Sequence, residues 1–490
     1  MTTKEYLQQI DDVITNGKYK DSWESLSNHK TPDWYYNGKL GIFIHWGIYS
    51  VPAYGSEWYS RAMYDKNCRE FEYHRETYGD KFSYKDFIPM FKAEKFNADK
   101  WAALFKESGA KFVMPVCEHH DGFAMYDTVF NRWNAKAMGP CRDITGEIKK
   151  ACENNGLTFC ASTHRAEHYF FMNMGRTFDS DVNDEKYRDF YGPAVYCTEW
   201  DSHTIHKTTA DTYSIGASKE WLEDWLVRTC ELIDKYQPKI LYFDWWIHNH
   251  SFKPYLKKLA AYYYNRADEW GEEVTINYKH EAFPPTVATF DVERGALTYI
   301  SPIPWQTDTA IGKDSWGYRK DNTYKSTRQI ITDLIDIVSK NGMLLLNIGP
   351  KPDGTITDEE TQVLKELGEW MKLNGEGIYG TTFWKQFGEG DVNNEEGFFK
   401  DREEKAFTEK DFRFTYKRGS IYAFQMRPNG ENAVIKSLKK YNPHDFIIKR
   451  ITLLSTSETL KFERNDNELI IKANENFNNS SPICFKIEID

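Results

Sequence analysis

The sequence predicts an α/β protein in two parts, a (β/α)8-like TIM barrel followed by a C-terminal antiparallel β-sandwich. From about residue 40 to residue 380, short apolar runs alternate with amphipathic helical stretches, which is typical of parallel βα units. After about Gly380, apolar residues recur at every second position, as in antiparallel strands with one buried face. A chain of 490 residues is long enough for both parts.

Seven apolar runs of strand length, and a weaker eighth, are the candidate barrel strands. They are Leu40–His45, Lys111–Cys117, Leu157–Thr163, Lys239–Asp244, Val274–Tyr278, Thr289–Val292 and Met343–Ile348, with the weaker run at Leu297–Ser301. The helices predicted between them are Asp99–Ser108, Asp143–Asn154, Lys219–Lys235, Lys253–Trp270, Thr327–Ser339 and Glu359–Leu373. Their apolar residues recur at three- and four-residue steps and would pack against a sheet. About eight such repeats favour a barrel over an open doubly wound sheet.

Three domains are expected: an N-terminal extension at residues 1–30, the barrel at 31–382 and the sandwich at 383–490. In the last of these, Phe412, Phe414 and Tyr416 alternate with polar residues before a Lys-Arg-Gly turn. Further strands are predicted at Asp445–Leu454, Leu460–Glu463, Glu468–Lys472 and Ile483–Ile489. These short alternating strands are typical of a small sandwich.

Composition excludes several classes of protein. The net charge is −11 and no basic stripe is present, which argues against a nucleic-acid partner. No run of eighteen apolar residues is present, so no membrane partner is expected. The first residues carry no export-signal pattern, and the eight cysteines form no C-x-x-C pair, so reduced core thiols and a cytoplasmic location are expected. Homo-oligomer formation is left open.

Two motifs that would indicate a metal or a cofactor do not fit their context, and neither is predicted. The segment from His164 to His168 matches the H-x-x-E-H zinc pattern, but it begins at a strand end rather than inside a helix. The segment from Gly375 to Gly380 matches G-x-G-x-x-G, but it follows a helix rather than a strand. His119 and His120 are adjacent after a strand, where neighbouring side chains are expected to point to opposite faces, so the two are not expected to bind one metal ion together.

Imidazoles, carboxylates and tryptophans follow the ends of most predicted strands. These groups are His45-Trp46, Glu57-Trp58-Tyr59, Glu118-His119-His120-Asp121, His164-Arg165, Asp244-Trp245-Trp246 and Asp291-Val292-Glu293-Arg294. In a barrel, reactive side chains come from the C-terminal ends of strands. A pocket with aromatic walls and polar edges suits a sugar, and two facing carboxyl groups are what glycoside hydrolysis requires.

Each of these residues also has a structural interpretation. A single histidine after a strand is more often a hydrogen-bonded structural residue than a functional one. Asp244 could cap the segment that follows it, and Glu293 could form an ion pair with Arg294. The 16 tryptophans fit a packed core as well as sugar-binding surfaces. The functional interpretation therefore depends on several strand ends carrying such groups together.

At these residues the sequence resembles the α-L-fucosidases of glycoside hydrolase family 29. The resemblance lies in the run from Leu40 to Pro52, the Glu57-Trp58-Tyr59 motif, the Glu118-His119-His120-Asp121-Gly122-Phe123 block, Ser315-Trp316-Gly317-Tyr318, and the run from Ser339 to Pro350. It extends from about residue 30 to residue 380. The β-domain fits the accessory sandwich that is usual in that family.

The resemblance implies a retaining exo-glycosidase that removes terminal α-L-fucose from oligosaccharides or glycoconjugates. Asp244 would be the nucleophile. His45, His119 and His120 would bind sugar hydroxyls, and Glu57 and Trp58 would hold the far edge of the ring. Phe43, Tyr242 and Trp316 would form the apolar wall that faces the C6 methyl group.

The general acid/base is less defined, with Glu293 preferred and Asp291 and Glu281 as alternatives. Lys279 stands where the family commonly has a sugar-binding arginine, and His164-Arg165 stands where it often has an aromatic residue. Relaxed specificity toward α-L-galactosides, or sugar binding without hydrolysis, is therefore an alternative. A metal-dependent hydrolase on the same barrel is another, and chelator sensitivity would distinguish it.

Overall fold

The computed structural model describes residues 2–195, 216–393, 395–441 and 446–490. Within these ranges, eight parallel strands close into a barrel. They are β1 (Leu40–Ile44), β2 (Phe112–Glu118), β3 in two pieces (Thr158–Phe159 and Ala161–Thr163), β4 (Ile240–Phe243), β5 (Thr275–Tyr278), β6 (Thr289–Glu293), β7 (Trp305–Ala310) and β8 (Gly342–Ile348). Each strand pairs with the next, and β8 pairs with β1. This closure confirms the predicted barrel.

One predicted strand is wrong: Leu297–Ser301 is not a strand, and the remaining barrel strand is β7. The apolar pattern misses β7 because its polar side chains are buried inside the barrel. Gln306 donates to Asp291 at 2.6 Å, and Asp308 lies 3.1 Å from the Lys279 ammonium. A strand whose inner face is polar carries no hydrophobic signal on that face.

Eight helices of ten or more residues lie in the described part of the chain. They are α1 (Thr3–Asn16), α2 (Arg69–Tyr78), α3 (Ala98–Glu107), α4 (Ile144–Asn155), α5 (Lys219–Tyr236), α6 (Lys253–Trp270), α7 (Thr327–Ser339) and α8 (Asp358–Asn374). The six predicted helices all form. Ser218, Ser326 and Thr357 begin α5, α7 and α8 by accepting a hydrogen bond from a backbone N–H in the first turn.

The first helix belongs to the helical layer around the barrel. Tyr6 of α1 donates a hydrogen bond to Asp234 of α5 at 2.6 Å, and Lys258 of α6 lies 2.6 Å from Asp11. None of the described helices is long and apolar enough to cross a lipid bilayer.

The described residues of the C-terminal region form two antiparallel sheets. The larger sheet has the strand order β9 (Thr382–Glu389), β10 (Phe412–Lys417), β11 (Ser420–Gln425), β17 (Ile483–Ile489), β13 (Ile448–Leu453) and β14 (Glu458–Thr459). The smaller one has the order β12 (Ala433–Ile435), β16 (Leu469–Ile471) and β15 (Phe462–Arg464). Both sheets contribute to one apolar core, which includes Phe412 and Phe414. The predicted strand start at Asp445 lies outside the described residues.

The larger sheet packs on the barrel through a buried ion pair. Arg413 of β10 donates to Asp336 of α7 at 2.5 Å, and Lys340 contacts the same carboxylate at 2.7 Å. Burial would raise the pKa of Asp336, but Lys340 and Arg413 together hold it below its usual range. Arg413 alternates along β10 with the apolar core residues Phe412 and Phe414, and it thus holds this sheet against α7.

The described cysteines are free thiols, and most are buried. Cys141 is exposed and Cys68 is half-buried, so the prediction of core thiols is wrong for Cys141. Cys141 lies in a loop before α4, where no apolar run surrounds it. Cys197 lies outside the described residues.

Candidate active site

One pocket of about 450 Å³ lies at the C-terminal end of the barrel and collects most of the predicted site residues. Those that line it are His45, Glu57, Trp58, His119, His120, Tyr242, Asp244, Glu293 and Trp316. Phe43 does not line the pocket, because it lies beneath the wall, fully buried, with its ring 4.6 Å from His45 and 5.0 Å from Tyr242. It supports the apolar wall from below.

Asp244 follows β4 and lies between two imidazoles. One of its oxygens is 3.4 Å from His120 Nε2 and 3.3 Å from His164 Nδ1. Burial would raise the pKa of Asp244, but His164, His120 and Lys279 outweigh burial and hold it well below its usual range. Asp244 is therefore an ionised carboxylate at the pocket surface.

His120 carries the positive charge of this group. Burial alone would lower its pKa, but Glu167, with an oxygen 3.9 Å from Nδ1, and Asp244 raise it to about 9. His45 and His119 differ, since burial lowers the pKa of both well below the usual value and leaves them neutral. Burial also lowers the pKa of His164, which lines the same pocket. The pocket therefore holds one imidazolium and three neutral imidazoles, each with one nitrogen that donates and one that accepts a hydrogen bond.

Glu293 ends β6 and lines the same pocket. The indole N–H of Trp245 donates a hydrogen bond to it, and Lys279 Nζ lies 3.0 Å from Oε2. Burial raises the pKa of Glu293 to about 7, with Lys279 opposing the rise and Asp244 and Asp308 adding to it. Two carboxyl groups of the pocket thus differ in proton affinity. The pKa of Asp244 is lowered, so Asp244 is ionised, and the pKa of Glu293 is raised, so Glu293 holds a proton near neutral pH.

The two alternative acids occupy different places. Asp291 is fully buried below the pocket, where it lies 3.1 Å from Lys279 and accepts a hydrogen bond from Gln306. Glu281 lines a separate apolar cavity beside Phe283 and Tyr299. Glu293 is thus the one of the three that shares a pocket with Asp244.

Sequence reasoning missed the buried ionic group beneath the pocket. Lys279 contacts Asp291, Glu293 and Asp308, and Tyr242 donates to Asp308 at 2.9 Å. Burial alone would lower the pKa of Lys279, but Asp308, Glu293 and Asp291 raise it well above its usual range. Burial and Asp291 also raise the pKa of Asp308 well above its usual value. One ammonium thus faces three carboxyl groups, which favours holding at least one proton among them.

Glu57 joins two loops at one side of the pocket. Its carboxylate accepts hydrogen bonds from the Ser315 hydroxyl at 2.8 Å and from the Trp316 backbone N–H at 2.9 Å. Trp316 then stacks on His45 at 5.2 Å, and the Arg294 guanidinium lies 4.6 Å from its ring centre. The loop that carries Trp316 is therefore fixed to the loop after β1.

Some of these side chains are close enough together to share a metal ion. Nitrogen atoms of His45, His119 and His164 lie within 4.8 Å of one another, and so do ligand atoms of His120, His164 and Asp244. The second set is less suited to a metal ion, because a metal ligand must be deprotonated and His120 carries a proton on both ring nitrogens.

The prediction that His119 and His120 face opposite sides is wrong. Strand β2 ends at Glu118, so strand alternation no longer applies, and both histidines line the pocket.

The C-terminal region also reaches the pocket, which no sequence signal indicated. Phe399, Asp401 and Arg402 lie in the loop after β9 and line the mouth. Asp401 pairs with Lys325 at 2.5 Å, and Arg402 pairs with Asp314 at 2.8 Å. The C-terminal region therefore contributes to the pocket wall as well as packing on the barrel.

Comparisons with known proteins agree with one another. A family model described as alpha-L-fucosidase matches residues 6–376. The plasma alpha-L-fucosidase of Pongo abelii is 30% identical over 394 residues, covering 75% of this chain and 74% of that protein. The tissue alpha-L-fucosidase of Bos taurus is 31% identical over 375 residues, covering 75% and 73%. A crystal structure of the alpha-fucosidase of Thermotoga maritima in complex with fucose superposes with a TM-score of 0.75 at 30% identity, covering 96% of this chain and 100% of that one.

Proposed function

Because the chain belongs to the alpha-L-fucosidase family and is a glycoside hydrolase that removes fucose, we propose that it works by double displacement with retention of configuration. The observation that supports this mechanism is the pair of pocket carboxyl groups with opposite proton affinities, Asp244 ionised and Glu293 protonated near neutral pH. A retaining glycosidase needs one carboxylate to attack and one carboxylic acid to protonate the leaving oxygen.

In the first step, Asp244 attacks the anomeric carbon while Glu293 gives its proton to the departing oxygen. In the second step, Glu293, now ionised, takes a proton from water, and the water displaces Asp244. Lys279 stabilises the ionised form of Glu293 between these steps, because its ammonium lies 3.0 Å from Oε2. His120 and His164 keep Asp244 ionised and so available as a nucleophile.

The test of this mechanism is the configuration of the first-formed product. Hydrolysis of 4-nitrophenyl α-L-fucoside, followed by nuclear magnetic resonance, should show α-fucose before mutarotation. First-formed β-fucose would rule out the double displacement and both proposed residue roles, although it would leave the family assignment intact.

The neutral imidazoles suit sugar hydroxyls. His45 is fixed through Nδ1, which lies 2.6 Å from Asn347, and His119 packs against Tyr49 and His45. We assign these two histidines and His120 to hydroxyl binding, and Glu57 and Trp58 to the far edge of the sugar. Their neighbours fix their rings in place, as selective binding of a polyol requires.

The apolar wall predicts discrimination at C6. Tyr242 directs its hydroxyl to Asp308, so its ring, with Trp316, faces the pocket over buried Phe43. We expect 4-nitrophenyl α-L-fucoside to be hydrolysed about a hundredfold faster than the α-L-galactoside, whose extra hydroxyl would be desolvated at this wall. Comparison of kcat/KM for the two glycosides measures this effect. Equal values would contradict the assigned wall.

The raised pKa of Glu293 predicts that activity falls on the alkaline side of neutral pH. Its pKa of about 7 lies above the usual value, so the active, protonated form is complete at lower pH and is lost as pH rises through about 7. We expect kcat/KM on a fucosyl disaccharide to fall about tenfold for each pH unit above this point. α-L-Fucosyl fluoride serves as the control, because fluoride leaves with little help from an acid. A limb that begins at pH 9 or above would contradict the protonated role of Glu293.

The substrate of this chain is a fucosylated glycan. The cytoplasmic location expected from the sequence stays a prediction.

A further inference from the structure

A short segment of the C-terminal region lines the active-site pocket through Phe399, Asp401 and Arg402. We call residues Phe398–Arg402 the strap. Its backbone is attached to the end of β6: the N–H of Phe399 donates to the carbonyl of Glu293 at 3.0 Å, and that of Lys400 donates to the carbonyl of Arg294 at 2.7 Å. Its far end is held by the Arg402–Asp314 ion pair. The strap is therefore positioned by the same residue that we propose as the acid.

Phe399 has an unusual conformation within the strap. Its φ is 58°, in the left-handed region that bulky residues rarely occupy, and its side chain is 40% exposed although it is large and apolar. Strained backbone of this kind persists where surrounding contacts fix it, and it clusters at functional sites. Here the contacts with Glu293 and Arg294 fix it, and the ring is placed on the pocket wall.

The Phe399 ring packs against Trp245, the residue that donates a hydrogen bond to Glu293. It lies nearly parallel to the indole of Trp245, with centroids 6.3 Å apart and planes 12° apart. Trp245 directly follows Asp244 and donates its N–H to Glu293. Phe398 and His280 pack against the same indole at 5.2 Å and 4.3 Å. The rings of Phe398, Phe399 and His280 therefore cluster on the indole that donates to Glu293, and Phe399 and Trp245 line the same pocket as the acid.

The position of this group relative to Glu293 indicates what it contacts. The acid must lie beside the oxygen that links fucose to the rest of the glycan, so a ring that contacts the acid also lies near the leaving group. Aromatic faces bind the apolar C–H face of a pyranose ring, whereas a single-atom leaving group such as fluoride offers no face for stacking.

On the basis of the proposed function, we propose that Phe399 and Trp245 form a leaving-group subsite that stacks on a neutral sugar ring next to the released fucose. This makes Phe399, from the C-terminal region, a specificity-determining residue for the reaction on the barrel. Its contact contributes to kcat/KM because the leaving group is still bound in the transition state of the first step.

The test compares two leaving groups in variants of Phe399. The substrates are α-L-fucosyl fluoride, whose leaving group is a single atom, and the best cleaved member of a panel of α-L-fucosyl galactosides. For Phe399→Ala we expect the ratio of kcat/KM, disaccharide over fluoride, to fall about tenfold. Phe399→Gly removes the side chain and also relieves the strain of the left-handed φ, and it should show the same fall. Phe399→Tyr keeps an aromatic ring and should keep the ratio of the unmodified enzyme.

Tyr441→Ala is the matched control, since Tyr441 is an aromatic residue of the C-terminal region that is 80% exposed and outside the pocket lining. Its ratio should equal that of the unmodified enzyme. A ratio that is unchanged in both Phe399→Ala and Phe399→Gly, or equal losses on both substrates, would overturn the subsite and leave the fucosidase mechanism standing. An unmodified enzyme without activity on fucosyl fluoride would overturn the proposed function and the subsite together.

Discussion

Replacing Asp244 with glycine should abolish hydrolysis of every fucoside, with kcat reduced by roughly 10⁴-fold or more, as expected when a nucleophile is lost. Added azide should restore turnover of activated aryl fucosides. The removed carboxylate leaves space at the pocket surface beside His120 and His164, and a small anion can occupy the position of the lost charge.

The product of that rescue tests the direction of attack. Azide entering from the side of the lost carboxylate should give β-fucosyl azide, because it displaces the leaving group from the opposite face. Asp321→Gly, at an exposed carboxylate that pairs with Arg319, is the matched control and should keep normal activity without any response to azide. Formation of α-fucosyl azide, or normal hydrolysis by Asp244→Gly, would exclude Asp244 as the nucleophile.

The sequence predicted most of the barrel because its strands and helices carry strong periodic signals. Strands such as Leu40–Ile44 and Gly342–Ile348 are buried on both faces and read as continuous apolar runs. Helices such as Thr327–Ser339 place apolar residues on the side that faces the sheet. These signals are local, so one sequence is enough to show them.

The strand β7 could not be predicted because its burial depends on partners from other strands. Gln306 and Asp308 are buried inside the barrel, where Asp291 and Lys279 satisfy their hydrogen bonds. A polar residue can be buried when hydrogen-bond partners are buried beside it, and here the partners come from two other strands, Asp291 from β6 and Lys279 from the end of β5. No pattern within Trp305–Ala310 carries this information.

The choice between Asp291 and Glu293 shows the same limit within the site. The two residues are two positions apart on β6, so their side chains point to the same face of the sheet. What separates them is depth, about 6.6 Å along a strand. Because β6 ends at Glu293, that carboxyl group reaches the pocket, while Asp291 stays in the buried ionic group. The sequence predicts the shared face, but the predicted strand Thr289–Val292 ends one residue before the observed one.

Replacing Glu293 with alanine should separate substrates by their leaving groups. On fucosyl disaccharides, whose sugar oxygen must be protonated as it departs, kcat/KM should fall by about 10²–10⁴-fold. On 2,4-dinitrophenyl α-L-fucoside, whose phenolate leaves without a proton, kcat/KM should change little. The variant should fold, because Lys279 keeps the carboxylates of Asp291 and Asp308 as partners.

The second step should slow equally for both substrates, because it needs Glu293 as a base whichever group has left. Azide, which attacks without a base, should therefore raise kcat of Glu293→Ala on the dinitrophenyl substrate and leave the unmodified enzyme unaffected. The isosteric Glu293→Gln keeps the side-chain volume beside Trp245 and should show the same separation of substrates. If instead both variants lost activity equally on the two substrates, with no response to azide, Glu293 would act only as a partner of Lys279, and the proton would have to come from another group.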